Sequence, residues 1–138
     1  LRLADGEQVD LDGLLDEAFW SRAVPATDFI QVDPDNGAAA TEETEVRIVY
    51  TRDALYMGVR AFDSEPDRWL GYQRRRDEFL SSDDRFMWTI DTFLDARSGY
   101  FFEMNPAGLL ADALVGFTAH TEQWDGQCDS RPSHDALG

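Results

Sequence analysis

The run Arg74-Arg75-Arg76, followed at once by Asp77, is the only basic run in the chain. A guanidinium carries five donors in a rigid plane and is always charged, so it seeks a carboxylate or another oxygen-rich partner. On a strand the three arginines would alternate between faces, and at least one is expected to meet an acid or a ligand. The ordinary partner is one of the many surrounding carboxylates. Trp69 and Tyr72 flank an expected strand that begins just after Asp63-Ser64-Glu65-Pro66-Asp67, and Trp124 precedes Asp125-Gly126. Those three rings are candidate platforms on which a sugar stacks through its C–H groups, weighed against simple half-burial. Trp20 and Trp88 fall on faces that the patterning assigns to packing.

Other chemistry finds little support. There is no G-x-S-x-G elbow and no glycine-rich phosphate loop. His120 and His134 flank Cys128, so a Cys–His pair can be written down, but all three lie in the least patterned stretch. With 28 Asp and Glu, carboxylate pairs must arise by chance. Asp83-Asp84 and Asp91 with Asp95 are the densest near strands, and they are expected to be a solvated strand start and a hairpin tip. A single cysteine excludes an internal disulfide framework and a Cys-based zinc cage. Asp33-Pro34-Asp35-Asn36-Gly37 approaches a calcium loop, yet its glycine arrives one place early and no glutamate stands at the twelfth position. Asp10-Leu11-Asp12-Gly13 fails likewise. Spacing alone names no calcium ligands.

The 138 residues suit one domain with a sizeable core. Acids outnumber the twelve bases, all arginine, and the net charge is -16. That field repels polyanions, which argues against nucleic acid and anionic membrane surfaces as partners. No apolar run approaches the ~18 residues of a bilayer span. No basic and apolar leader opens the chain, so any signal peptide is expected to be removed or to lie outside it.

These residues must be held by elements that the patterning predicts. Val9 to Gly13 reads as a short strand running into an Asp-Gly turn. Leu14 with Ala18, and Leu15 with Phe19, stand four apart and predict one or two helical turns. Pro, Asp, Asn, Gly and Ala then mark a long surface loop from Val24 to Thr44, sharpest at Asp33 to Gly37. Beyond Thr44 the period becomes two. Val46, Ile48 and Tyr50 alternate with Glu45, Arg47 and Val49, and Leu55, Met57, Val59 and Ala61 with Tyr56, Gly58, Arg60 and Phe62. Phe86, Trp88 and Ile90 follow, then Tyr100, Phe102 and Met104, then Leu109, Ala111 and Ala113. Tight links at Thr51 to Asp53, Asp95 to Gly99 and Asn105 to Gly108 predict antiparallel hairpins, hence an all-β sandwich or barrel. From Gly116 onward no period is found, and Gln127 to Gly138 reads as an irregular tail.

Several motifs in this order carry a resemblance. They are Leu11-Asp12-Gly13-Leu14-Leu15-Asp16-Glu17-Ala18-Phe19-Trp20, Thr44 to Tyr50, Ala54 to Asp63, Arg75-Arg76-Asp77 and Asp83-Asp84-Arg85-Phe86. Ile90-Asp91-Thr92-Phe93, Gly99-Tyr100-Phe101-Phe102 and Asn105-Pro106-Ala107-Gly108 complete them. From about Val9 to Gly126 the chain resembles the family 9 carbohydrate-binding module, in the branch found at the amino end of large exported bacterial proteins. The resemblance implies an antiparallel β-sandwich over residues 1–126, without catalytic machinery, often braced by calcium and located outside the cytoplasm. It also implies a glycan partner such as xylan or cellulose chain ends, in a carbohydrate-catabolic setting.

Departures from the family pattern matter for specificity. Sugar-binding members place a stacking tryptophan before the acidic stretch matching Asp83-Asp84, where this chain has Phe79 and Leu80. They place a glutamate where Met87 stands and an arginine where Glu103 stands. An unpaired sugar hydroxyl would cost ~1–3 kcal/mol, so the parental specificity is expected to change. Sugar contacts are expected from Trp69, Tyr72, Arg74, Arg76, Phe79 and Trp124. Family members also continue past Trp124-Asp125-Gly126 with further strands, so the sandwich is expected to be incomplete at its C-terminal edge. Such an open edge could pair with a larger parent protein or with a second copy. The alternative function is accordingly a structural or interaction domain that has lost the sugar, and a free-standing glycosidase stands third.

Overall fold

The computed structural model of the protein describes residues 1–77, 80–116, 124 and 126–133, together with the backbone of 120–121. The fold is all-β, built from antiparallel strands with two short helical turns among the described residues. Two compact units divide it, Leu1–Pro66 with Ser133, and Asp67–Pro132.

In the first unit β1 (Thr44–Tyr50) and β2 (Leu55–Ala61) form a hairpin in register from Tyr50 with Leu55 to Thr44 with Ala61. The Thr51 link closes it as the sequence predicts, with the Thr51 N–H donating to the Ala54 carbonyl at 2.9 Å. Of the alternating set Val46, Ile48 and Tyr50, only Val46 is buried, at 8% exposure. Val49 on the opposite face is fully buried, beside its register partner Tyr56, whereas Ile48, Tyr50 and Leu55 are 43%, 44% and 52% exposed. The reason lies in what covers the hairpin. A Cβ on Gly58 would stand 2.9 Å from both Leu15 Cδ2 and Trp20 Cζ3, so only a bare backbone there lets these side chains come down.

Trp20 belongs to α1 (Ala18–Arg22), which starts later than the fourfold spacing suggests. Five residues cannot sustain a helix alone. Burial of Phe19 and Trp20 against Leu3, Ala23 and Val49 holds this one. The strand expected at Val9 to Leu11 does not form, because side chains take its amides. The Asp10 N–H donates to Glu17 Oε1 and the Leu14 N–H to Asp12 Oδ1, both at 2.8 Å. Glu17 Oε2 also accepts the indole N–H of Trp20 at 2.8 Å, which satisfies the one polar atom of that buried ring. Residues 24–43 are the long loop expected, with Gly37 at φ +87° in its sharpest turn.

The second unit carries β3 (Phe86–Ile90), β4 (Gly99–Met104), β5 (Leu110–Val115) and β6 (His120–Thr121), antiparallel and adjacent in that order. Pleating places Phe86, Trp88, Tyr100, Phe102 and Asp112 on one face, and Met87, Glu103, Ala111 and Ala113 on the other. The first face is aromatic: Trp88 stacks on Phe102 at 5.2 Å and 13°, and its ring lies 5.5 Å from Phe86. On the second, the buried carboxylate of Glu103 meets Arg85 at 2.8 Å.

Two links fix this sheet. Asn105 is 1% exposed and closes the β4–β5 turn, exchanging bonds with Leu109 through its backbone at 3.0 Å and its Oδ1 at 2.8 Å. In the β3–β4 link, Leu94 and Ala96 adopt φ of 54° and 53°, a left-handed conformation costing ~1–2 kcal/mol for each residue with a Cβ. The Asp91 carboxylate offsets it by accepting the N–H groups of Phe93, Asp95 and Ala96 at 3.1, 3.3 and 2.8 Å.

The strand expected after Asp67 is absent. Pro66–Arg68 forms a single 3-10 turn, and residues 69–74 lie outside the strands. Side chains at the foot of β3 again take the backbone: Asp84 accepts the Leu70 N–H at 2.7 Å, and Asp83 the Gln73 N–H at 3.0 Å.

Candidate ligand-binding site

The aromatic face of the second sheet ends at a buried acid. Asp112 sits on β5 opposite Phe102, and its side chain has no solvent exposure. Oδ1 accepts from Arg76 Nη2 at 2.8 Å, and Oδ2 accepts the Gly126 N–H at 2.6 Å. Both oxygens are therefore engaged, as a charge on a strand interior requires. Arg76 also donates to the Gly126 carbonyl at 3.3 Å and stands 3.6 Å from Asp77. The basic run thus meets its acid, but from a turn and not from a strand.

Holding Gly126 fixes Trp124. The Trp124 ring lies 4.7 Å from Tyr100 and 6.0 Å from Phe102, edge-on to the latter. A Cβ on Gly126 would come within 2.5 Å of Trp124 Cη2, so glycine allows the indole to lie there. The result is a half-buried aromatic surface of Trp88, Phe102, Tyr100 and Trp124, with Arg76 beside it.

Next to Arg76 opens a shallow hollow of about 210 Å³, lined by Leu109, Leu110, Cys128, Ser130 and Arg131 among others. Its far wall is pinned to the β4–β5 turn, where the Ser130 hydroxyl donates to the Gly108 carbonyl at 3.2 Å. Burial pushes the Cys128 thiol up from its ordinary value, Asp112 and Asp129 push the same way, and Arg76 opposes them. A thiol in that state is a poor nucleophile near neutral pH.

Of the six expected contact residues, Arg76 and Trp124 are brought together around Asp112. Trp69, Tyr72 and Arg74 form a separate group on the 69–74 segment. Trp69 folds over Gly71 and is 37% exposed, Tyr72 is 71% exposed, and Arg74 donates to the Gly71 carbonyl. That segment is strapped to the sheet through Asp83 and Asn105, the amide of Asn105 donating to Asp83 Oδ2 at 2.9 Å. Burial raises the Asp83 carboxyl, but Asn105, the Gln73 and Tyr72 amides and the Ser82 hydroxyl together hold it below its ordinary value of 3.8. Phe79 lies outside the described residues, as do His134 and the side chain of His120.

Met87 and Glu103, where the family pattern differs, are register partners on the face opposite to Trp88 and Asp112. They share no surface with Arg76 and Trp124. Sequence reading missed Asp112, Tyr100 and Phe102 as site residues. The only signal for Asp112 was an acid interrupting an apolar strand. No three Asp, Glu, His or Cys side chains among the described residues come together as metal ligands, so no such set serves the calcium that the resemblance implies.

Comparison with protein-family models, with curated proteins and with solved structures finds no match to this chain. Among the described residues no helix is long and apolar enough to cross a membrane.

Proposed function

We propose that the protein is a non-catalytic carbohydrate-binding module of an exported bacterial protein, with a sandwich arrangement of its antiparallel sheets. One observation carries the reading: a tryptophan laid beside Tyr100 and Phe102, next to an arginine fixed by a buried acid. Ring faces of this kind accept the C–H side of a pyranose, and a guanidinium donates to hydroxyl oxygens. The hollow beside Arg76 has room for about one sugar unit. With a net charge of -16, neutral glycans such as xylan or cellulose chains are favoured over anionic ones.

The test is calorimetry and affinity electrophoresis on xylan, cellulose and their oligosaccharides. Trp124→Ala is expected to weaken binding about tenfold, since one aromatic contact contributes roughly 0.5–1.5 kcal/mol beyond its area. Trp69→Ala and Phe79→Ala test whether the neighbouring segment shares the ligand. Absence of binding across that panel would remove the proposal. The reading left standing would then be an interaction domain, favoured by the exposed Ile48, Tyr50 and Leu55 on the β1–β2 hairpin.

A further inference from the structure

The β3–β4 link holds two large apolar side chains in solvent. Phe93 is 77% exposed and Leu94 91% exposed, and they are consecutive. Two hydrophobes at a hairpin tip usually fold back onto the sheet or are replaced by polar residues. Here the backbone prevents the first outcome. Leu94 and Ala96 are in the left-handed region, and Asp91 clamps the turn through three backbone N–H groups. Asp95 Oδ1 adds a second clamp on the N–H groups of Arg97 and Ser98, at 2.8 and 3.1 Å. Strain of this kind persists only where surrounding bonds enforce it, and it concentrates at active sites, ligand clamps and switch regions.

We infer that Phe93 and Leu94 form a preorganised anchor that inserts into an apolar depression, bordered by Lys or Arg side chains, on a partner protein. The cationic border follows from charge: the chain carries -16, and two of the three charged residues in the link are Asp91 and Asp95. Rigid presentation favours a shaped protein pocket over a lipid surface, which gains nothing from a fixed backbone. Preorganisation lowers the ordering cost that a flexible tip would meet on binding. The anchor is independent of the glycan reading, because none of the residues around Asp112 takes part.

The probe is a fluorescent amphipathic helical peptide of leucine and lysine, whose apolar face is bordered by cations. A leucine–glutamate counterpart and phosphatidylcholine vesicles are the comparisons, and the intact chain is titrated against each by anisotropy or flotation. The leucine–lysine peptide should bind, and the double variant Phe93→Ser/Leu94→Ser should weaken it at least tenfold with unchanged thermal unfolding. Asp91→Ala, which frees the link, should weaken it several-fold while amide exchange of Phe93 and Ala96 accelerates. Equal binding by the double variant would reduce the effect to bulk charge and overturn the inference. So would Asp91→Ala binding as well as the native chain, no binding of the leucine–lysine peptide, or Phe93-dependent binding of the vesicles or the leucine–glutamate peptide.

Discussion

Arg76 and Asp112 meet at 2.8 Å across 36 positions of sequence, and the acid is wholly removed from solvent while the arginine keeps 40% of its side-chain exposure. The half-open guanidinium keeps part of its hydration, so the full desolvation penalty of a buried ion falls on the acid alone. What the acid contributes is position, because the same carboxylate holds the Gly126 backbone and through it Trp124.

Asp112→Ala should therefore destabilise the protein by about 2 kcal/mol, the scale of a charge-assisted bond left unmade. Asp112→Asn keeps one acceptor but turns its NH2 toward the other donor, Arg76 or the Gly126 N–H, and should cost a similar amount. Urea unfolding measures both. Trp124 fluorescence should shift to the red in the alanine variant, as its ring leaves Tyr100.

Gly58 is a packing requirement. Gly58→Ala places a methyl 2.9 Å from Leu15 and from the Trp20 ring. Leu15 can rotate away, but the indole is held by Glu17. Overpacking of this kind costs roughly 1–3 kcal/mol, read as a fall in thermal midpoint. Gly37→Ala instead meets open space but keeps φ at +87°, so its smaller cost is one of backbone strain alone.

Acid should loosen the second unit at identifiable points. The Asp83 and Asp91 carboxyls both lie below their ordinary value of 3.8, Asp91 chiefly through the Ala96 N–H. A folded-state pKa depressed in this way contributes stability that is complete above the unfolded value. It is lost as pH falls from about that value through the lower folded one. The contribution of these two groups should thus be constant near neutrality and be lost below pH 3.8, with amide exchange rising at Gln73, Ala96 and Phe93. Asn105→Ala removes a partner of Asp83 and the Leu109 clamp together. Its expected cost is about 1–3 kcal/mol, measured by denaturant unfolding.

Cys128 should alkylate slowly. Burial, with Asp112 and Asp129 nearby, pushes its thiol above the ordinary 9.0, so little thiolate exists at pH 7. The iodoacetamide rate should keep climbing with pH past 9, and Asp112→Asn should shift that profile to lower pH. A rate matching free cysteine at neutral pH would contradict the environment described for the hollow.

The strands β1 to β5 were legible because a half-buried strand writes itself as a period of two, and turn residues separate each pair. The face that goes inward was not legible for the first hairpin. Glu45 and Arg47 share the Val49 side, so alternation points to the Val46, Ile48 and Tyr50 side, yet Val49 is the residue fully removed from solvent. The side on which Leu15 and Trp20 descend decides it, and the bare backbone at Gly58 admits them. The segments near Val9 and after Asp67 misled for a related reason. Their composition suits a strand, but Glu17, Asp12, Asp83 and Asp84 capture backbone amides that a ladder would need.

The candidate site divides in the same way. Trp124 and Arg76 could be picked by residue type, since rings and guanidinium groups are rare and chemically distinct. Their meeting could not be, because Asp112 joins them over separations that no local spacing encodes. Residue types and local periods thus set the all-β class, the hairpins and the stock of side chains able to touch a ligand. Contacts between residues far apart in the chain decided which faces close, which loop is clamped in strain, and which ring stands beside which charge.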